Sequence, residues 1–133
     1  GGVCPRRAGP PLPFLAGPGC ALRLLAPWVR AKGRLTPPEA VYRLSGQTAK
    51  LFGIRGRGTL EAGNAADLML FDPKTVDRGP KERVRDLPAG GARLTTRAIG
   101  VHGVWVNGER IADAKGMRPL RRLPGKLLRH FDS

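Results

Sequence analysis

Residues 66–73 read Ala-Asp-Leu-Met-Leu-Phe-Asp-Pro, and this stretch decides which kind of fold the chain adopts. A short, mainly apolar run that ends at Asp-Pro predicts a buried β-strand over residues 66–71. On its N-terminal side, Thr59-Leu60 stands between glycines and predicts a very short strand bounded by turns. On its C-terminal side, residues 73–93 are polar and rich in turn formers, which predicts a long loop.

A hairpin is predicted beyond this loop. Residues 98–106 are apolar and β-branched, which predicts a strand, and the Asn107-Gly108 that follows is a strong signal for a two-residue turn. The returning strand is predicted over residues 109–112. These strands are too few to close a sandwich, so the chain is predicted to be the end of a larger structure.

The most regular pattern before the strands predicts a helix over residues 37–52. Thr36-Pro37-Pro38-Glu39 fits a capping box, with Thr36 as the N-cap and Glu39 reaching back to its amide. Gly53 stands where a glycine ends a helix. One face of this helix must be buried against something larger, because side chains recur there at the helical period. This stripe consists of Val41, Leu44, Thr48, Leu51 and Phe52.

A shorter helix is predicted ahead of it. Leu22, Leu25 and Val29 have helical spacing, and Pro27 interrupts them, so the helix is expected to be kinked. Residues 1–20 are rich in proline, glycine and arginine and are predicted to be loop or disorder.

The 133-residue chain carries 24 Lys and Arg against 10 Asp and Glu, a net charge of +14. Residues 1–34 contain no acidic residue, and the C-terminal part is again strongly basic. Such a chain binds polyanions non-specifically. No specific nucleic-acid partner is predicted, because arginines and aromatic residues do not alternate as a stacking platform requires. The candidate basic patch consists of Arg118, Arg121, Arg122, Lys126 and Arg129.

Several classes of protein are excluded by the composition. No run of about 18 apolar residues occurs, so neither a membrane span nor a membrane partner is predicted, and no apolar signal-peptide core precedes Ala21. Cys4 and Cys20 are too few for a disulfide scaffold and are interpreted as incidental thiols. The glycines of residues 53–58 are interpreted as turns, because they follow a predicted helix and precede a strand, the reverse of a dinucleotide fingerprint.

The sequence offers few residues that could bind a metal or act as a catalytic acid or base. His102 is interpreted as a packed or surface residue, and His130 has no nucleophile near it in the sequence. Asp67, Asp72 and Asp77 recur at intervals too wide for a calcium loop, and the aspartate before a proline predicts a turn residue. No catalytic, cofactor-binding or metal-ligating residue is predicted in this chain.

Three stretches together resemble the C-terminal end of the amidohydrolase superfamily. Residues 35–41 read Leu-Thr-Pro-Pro-Glu-Ala-Val and open the longer helix. Residues 57–72 read Arg-Gly-Thr-Leu-Glu-Ala-Gly-Asn-Ala-Ala-Asp-Leu-Met-Leu-Phe-Asp, and residues 104–109 read Val-Trp-Val-Asn-Gly-Glu. The resemblance implies that the second stretch leads from a barrel to a small β-domain and that the third is the last hairpin of that domain.

Four further stretches look like the N-acyl-D-amino-acid deacylases of the D-aminoacylase type. They are Trp28-Val29-Arg30, Arg78-Gly79-Pro80, Asp86-Leu87-Pro88-Ala89-Gly90-Gly91 and Pro124-Gly125-Lys126-Leu127-Leu128-Arg129. The resemblance covers residues 22–130. It implies an α/β fold that is the C-terminal end of a metal-dependent (β/α)₈-barrel amidohydrolase, incomplete as a stand-alone fold.

The resemblance also implies a division of the chain. Residues 1–20 match the family poorly, residues 21–56 would be the last helices of the barrel part, and residues 57–114 would be strands of the small β-sandwich domain. The basic tail is residues 115–133. The abrupt change after the first segment suggests a truncated gene, a frameshift or a wrong start.

The resemblance implies a hydrolase of carbon–nitrogen bonds other than peptide bonds, which converts an N-acyl-D-amino acid and water into a D-amino acid and a carboxylate. In the full-length family a metal, expected to be zinc, activates the water. Its ligands precede everything present here, and no acidic residue occurs before Glu39. The chain alone is therefore predicted to be inactive and without a cofactor, and a bacterial, cytoplasmic setting is expected.

Two other functions stay open. One is an accessory or partner-binding fragment that is completed by a separately encoded or missing barrel portion. The other is a basic, non-specific nucleic-acid-associated protein. Without the barrel the stripe of residues 41–52 would be exposed, which predicts self-association.

Overall fold

A computed structural model describes residues 19–129 and 131. Within these residues, short helices lead into two antiparallel sheets, so the predicted α/β class is confirmed. Most of the N-terminal stretch predicted to be loop or disorder lies outside the described residues. At its end, Gly19 is a turn residue and Cys20 already begins the first helix.

The first helical segment is distorted around its proline. Helix α1 covers Cys20–Arg23 and runs directly into a π-helix over Leu24–Ala31 that contains Pro27. Because proline has no N–H to donate and its ring crowds the preceding turn, the wider π-helix accommodates it. The N–H of Lys32 donates to the carbonyl of Pro27 at 2.9 Å, the five-residue spacing of such a helix.

The predicted helix over residues 37–52 is in fact two helices, α2 over Pro37–Leu44 and α3 over Gly46–Leu51. The prediction of one continuous helix is therefore wrong. Ser45 breaks it with a φ of −122° and a ψ of −77°, and its hydroxyl donates to the carbonyl of Val41 at 2.8 Å. A serine that bonds the backbone, followed by a glycine, weakens a helix at this point.

Both predicted ends of this helix pair are confirmed. The N–H of Glu39 donates to Oγ1 of Thr36 at 3.4 Å, and the N–H of Thr36 donates to the carboxylate of Glu39 at 2.8 Å. These bonds form the capping box, and the bonds that the N–H and the hydroxyl of Thr36 donate to the carboxylate lower the pKa of Glu39. At the other end, Gly53 has a φ of 62° and closes α3.

The described residues contain six strands: β1 Leu68–Phe71, β2 Asp77–Val84, β3 Arg93–Ile99, β4 Val101–Val106, β5 Glu109–Asp113 and β6 Gly116–Met117. Four of them form one antiparallel sheet in the order β1-β4-β5-β6. The predicted hairpin is confirmed between β4 and β5, where Asn107 and Gly108 have φ values of 49° and 82°. Positive values at both positions are what a two-residue turn with the twist of the sheet requires.

The second sheet corrects the long loop predicted over residues 73–93. Strands β2 and β3 pair from Asp77 opposite Ile99 to Val84 opposite Arg93. Strand β2 reads Asp-Arg-Gly-Pro-Lys-Glu-Arg-Val and has no apolar face, so its pattern does not distinguish it from a loop. Pairing with β3 makes it a strand.

Gly100 divides residues 98–106, which were predicted to be one strand, into β3 and β4. Its φ is 67°, and a β-carbon there would lie 2.6 Å from both Oγ1 of Thr75 and the backbone nitrogen of Val76. The carbonyl of Gly100 accepts a hydrogen bond from the N–H of Asp72 at 2.9 Å. The bend is therefore seated closely against the turn that follows β1, and only glycine fits.

Strand β1 is shorter and more exposed than the buried strand predicted over residues 66–71. It lies at the edge of its sheet, and Met69 and Leu70 are 41% and 55% exposed. The prediction of burial is wrong. Neighbouring residues of the described chain pack over only part of this strand and leave Met69 and Leu70 exposed to solvent. The very short strand predicted at Thr59-Leu60 does not form, and Leu60 is exposed.

The hydrophobic core is small and lies between the helices and the turn after β1. Its buried members are Leu22, Leu25, Ala40 and Val76. Partly buried side chains surround them, namely Leu24, Val29, Leu35, Phe71 and Val101. Val76 is 1% exposed and is the largest fully buried side chain among the described residues. Such a core lets a single substitution have a large effect.

Candidate functional site

An open apolar groove lies beside the core, between the π-helix, the start of α2 and the end of β1. Its volume is about 520 Å³. Arg30 lies at its rim, where the guanidinium donates to the carbonyl of Val76 at 2.7 Å and to the carboxylate of Asp77 at 3.1 Å. The described residues that line the groove include no carboxylate, imidazole or thiol. The groove is therefore an apolar recess with the polar side chains of Arg30, Thr36 and Lys74 in its lining, and it can receive an apolar group.

A polar cluster joins three segments of the chain at the β4–β5 turn, and we call it the Asn107 cluster. It consists of Arg57, Asp67, Asn107 and the carbonyl of Pro124. The N–H of Asn107 donates to Asp67 at 2.8 Å, and its side-chain amide donates to the Pro124 carbonyl at 2.6 Å. Arg57 donates to the side-chain oxygen of Asn107 at 2.6 Å and also contacts the carboxylate of Asp67. The cluster therefore links the chain before β1, the hairpin turn and the tail.

The Asn107 cluster lowers the pKa of Asp67. Partial burial acts to raise the pKa of this carboxyl group, but the N–H of Asn107 and the guanidinium of Arg57 outweigh burial, so the pKa lies below its usual value of 3.8. Asp67 is predicted from the sequence to be structural, but its partner Arg57 is not predicted. No spacing rule connects positions 57, 67 and 107, and only the family motifs contain all three.

We expect acid to destabilise the fold through this carboxylate. Because the pKa of Asp67 is lower in the folded chain, its stabilising effect is fully present above pH 3.8 and is lost as the pH falls through the folded-state value. Denaturant midpoints measured from pH 5 to pH 2 should fall more steeply for the natural chain than for Asp67→Asn. Parallel curves for the two proteins would contradict this prediction.

The described residues do not offer a donor set that fits a metal centre. No three His, Cys, Asp or Glu side chains among residues 19–129 and 131 lie close enough to hold an ion. His102 is exposed on β4. The nearby carboxylate of Asp72 accepts hydrogen bonds from the N–H of Lys74 at 2.8 Å and the hydroxyl of Thr75 at 2.9 Å. The zinc that the resemblance implies therefore does not fit this part of the chain.

The bonds from Lys74 and Thr75 lower the pKa of Asp72, and its predicted role as a turn residue is confirmed. Cys20 is an exposed free thiol. Cys4 and His130 lie outside the described residues. The predicted turns of residues 53–58 are confirmed by positive φ values at all three glycines.

The basic residues of the tail form no ion pairs with acidic side chains in the described part of the chain. Residues 118–129 run without helix or strand, and within the described part of the chain their cationic side chains form no ion pair. Trp28 and Trp105 each lie under a single cation, Lys32 and Arg110 respectively, rather than in a row. No described helix is long and apolar enough to cross a bilayer.

The chain contains short helices, then a strand that begins at Ala-Asp-Leu, then an Asn-Gly hairpin. Comparison of its sequence with known families gives a match that includes all of these elements. A profile of the Amidohydrolase family matches residues 16–112. The chain belongs to the amidohydrolase family.

Within that family the chain is similar to enzymes that act on D-amino-acid derivatives. It is 41% identical over 87 residues to a D-aminoacylase from Alcaligenes xylosoxydans xylosoxydans, an alignment that covers 65% of this chain and 16% of that protein. It is 32% identical over 115 residues to an N-acyl-D-aspartate deacylase from the same organism, which covers 86% of this chain and 21% of that protein. The resemblance to the D-aminoacylase type is confirmed.

Comparison with solved structures also shows similarity to D-aminoacylase. A crystal structure of D-aminoacylase matches with a TM-score of 0.56 and 30% identity over 74% of this chain and 19% of that chain. A second D-aminoacylase, studied for its binuclear metal center, matches with a TM-score of 0.57 and 31% identity over the same shares. The chain spans about one fifth of the length of these relatives.

Proposed function

We propose that this chain is the C-terminal part of a hydrolase that acts on carbon–nitrogen bonds other than peptide bonds. The proposed reaction converts an N-acyl-D-amino acid and water into a D-amino acid and a carboxylate. The observation that carries the proposal is the match to D-aminoacylase, at 30% identity over 74% of the chain. The names of both deacylase relatives, which come from Alcaligenes, support the same substrate class and a bacterial origin. A cytoplasmic setting is part of the proposal.

In this proposal the metal and its ligands belong to a barrel portion outside this chain, and the metal would activate the attacking water. The described residues contribute a scaffold instead. The Asn107 cluster ties the segment before β1 to the last hairpin and to the tail. The helices α2 and α3 would be the last helices around the barrel.

We expect the purified chain alone to give no turnover with zinc and N-acetyl-D-amino acids above a blank that contains only the metal. The reason is that its described side chains supply no donor set for the ion. Release of the free amine is the measurement, and the intact D-aminoacylase from Alcaligenes is the positive control. Turnover above the blank would show that this chain is an enzyme by itself.

The assignment of this chain as the C-terminal part of a hydrolase has a separate test. The coding region upstream of Gly1 should be translated in all three frames. A barrel with metal-binding histidines in an adjacent frame would support the proposal. Stop codons or unrelated sequence upstream would contradict the proposal. The similarity to hydrolases would then reflect common ancestry only.

A second candidate function rests on the exposed cations of the tail. A basic, non-specific nucleic-acid-associated protein would bind through the side chains of residues 118–129, which no described acid neutralises. Retention on DNA at roughly 0.15 M salt would favour this function, since screening removes weak surface attraction at that ionic strength. Release from DNA below that salt concentration would contradict this function, because ordinary surface charge attracts DNA only where screening is weak.

A further inference from the structure

The turn between β4 and β5 places an asparagine directly before a glycine, at Asn107-Gly108. An asparagine in this position is prone to spontaneous deamidation, because glycine has no side chain to hinder attack by its own backbone nitrogen. The chain's other asparagine, Asn64, is followed by Ala65, whose β-carbon hinders the same attack. The two asparagines therefore differ in their intrinsic reactivity.

The reaction at this turn needs only water as a co-reactant. The backbone nitrogen of Gly108 loses its proton and bonds to Cγ of Asn107, and the side-chain amide takes up a proton and leaves as ammonia. The product of this step is a five-membered succinimide ring. Water then adds to one of the two ring carbonyls and opens the ring, which leaves either aspartate or isoaspartate at position 107.

The folded chain restrains every atom that this ring closure uses. The guanidinium of Arg57 donates to Oδ1 of Asn107 at 2.6 Å, and Nδ2 of Asn107 donates to the carbonyl of Pro124 at 2.6 Å. The N–H of Gly108, which must give up its proton, donates to the carbonyl of Ala66 at 2.9 Å. These bonds must open before the nitrogen reaches Cγ, so deamidation requires local opening of the Asn107 cluster.

Deamidation would change how the hairpin contacts the tail. A carboxylate only accepts hydrogen bonds, so an aspartate at position 107 would set an oxygen against the Pro124 carbonyl, where an N–H now donates. The new negative charge would also lie beside Asp67, whose carboxylate accepts the N–H of Asn107 at 2.8 Å. Isoaspartate would in addition lengthen the backbone of a two-residue turn by one carbon. Each product therefore breaks the contact with Pro124.

This contact is the place where the end of the tail rests on the hairpin. Pro124 is half-buried, whereas residues 121–123 and 125–129 on either side of it are exposed. These flanking residues form neither helix nor strand. Loss of the bond at Pro124 would therefore free this basic segment.

We propose that Asn107 is a site of spontaneous deamidation, that the Asn107 cluster slows this modification in the folded chain, and that the modification releases the tail from the hairpin. The modification is irreversible under these conditions, because the ammonia is lost to solvent. The inference uses only the hydrogen bonds of this chain and does not rest on the proposed hydrolase function.

The first test measures the rate of deamidation in the full chain at neutral pH. The mass increase of the tryptic peptide of residues 98–110 reports position 107, and that of residues 58–74 reports Asn64 as an internal control. Conversion of Asn107 should be about tenfold or more slower in the folded chain than in the same chain unfolded in guanidinium chloride. Equal rates in the two states, or no conversion in the unfolded chain, would overturn the proposal.

A pair of variants tests whether the cluster causes the slow rate. Arg57→Gln removes the donor to Oδ1 of Asn107 and should raise the rate in the folded chain at least about threefold. Arg34→Gln removes the same charge from an exposed position outside the cluster and should leave the rate unchanged. An unchanged rate in Arg57→Gln would overturn the proposed restraint.

The second test measures release of the tail in Asn107→Asp, which carries the deamidated side chain. Cleavage by trypsin after Arg122 and Lys126 should be about fivefold faster than in the natural chain, because protease access requires a detached segment. Asn64→Asp, which adds the same charge elsewhere, should not change these rates. Cleavage after Arg34, in the segment before α2, reports unfolding of the whole chain and should stay unchanged.

Unchanged cleavage of the tail, or equally faster cleavage after Arg34, would overturn the proposal. The natural chain gives the same test if Asn107→Asp does not fold. After a long incubation, a short exposure to trypsin should remove the tail from the deamidated molecules first, so the molecules that remain intact should be depleted in deamidated position 107. Equal deamidation of the cleaved and the intact molecules would overturn the proposal.

Discussion

Replacing Gly100 with alanine is expected to lower the free energy of unfolding by about 3 kcal/mol or more. Two effects add at this position. The φ of 67° disfavours any residue with a β-carbon. In addition, that carbon would lie 2.6 Å from the backbone nitrogen of Val76, and a backbone atom in the core cannot move aside without displacing its neighbours. Urea denaturation followed by far-UV circular dichroism measures the loss.

Gly90→Ala is the matched control for this substitution. Its φ of 69° is nearly the same, but no atom lies within 4 Å of the position that a β-carbon would take. Gly90→Ala should therefore cost about 1 kcal/mol, the conformational term alone. If the two variants lose equal stability, the close approach at Gly100 has no energetic weight and the prediction is wrong.

Val76→Ala is expected to lower the free energy of unfolding by about 2 kcal/mol, the loss of buried methyl groups plus the cavity they leave. The side chain is 1% exposed and lies at the centre of the core with Leu22, Leu25 and Ala40. Equilibrium unfolding in urea measures the change.

Val41→Ala removes the same two methyl groups from the exposed side of α2, where the valine is 41% exposed. We expect a change within about 0.5 kcal/mol in the isolated chain, as is usual for surface positions. A loss at Val41 as large as that at Val76 would mean that this side of α2 is buried in solution. The pair of variants thus also reports on whether the isolated chain covers that side of α2.

The parts of the fold that the sequence predicts are those with local signals. The capping box at Thr36 and the turn at Asn107-Gly108 depend on residues within a few positions of each other, and both form as predicted. Their physical causes are complete within a short segment. The family resemblance is confirmed for a related reason, since its motifs are also short and contiguous.

The parts that the sequence does not predict depend on distant partners. Strand β2 has no apolar face, and its pairing with β3 decides its conformation. The helix break at Ser45 coincides with a hydroxyl bond to the Val41 carbonyl and with the following Gly46, and a periodic apolar pattern reveals neither. The Asn107 cluster joins positions that are 40 and 50 residues apart along the chain, and no spacing rule connects them.

The burial of strand β1 was predicted from its apolar residues, and the structure exposes two of them. A run of apolar residues indicates that burial is favourable, but it does not identify the part of the protein that would pack over it. Leu51 and Phe52 of the predicted stripe are likewise exposed. An apolar pattern alone does not identify the surface that would cover them.

The outward turn of Leu51 and Phe52 has a consequence for the life of the protein in a cell. Exposed apolar side chains are the feature that chaperones and quality-control proteases bind, so a chain that keeps them uncovered is removed faster than its unfolding equilibrium alone would require. We therefore expect the cellular lifetime of this chain to depend on whether another surface covers these two side chains.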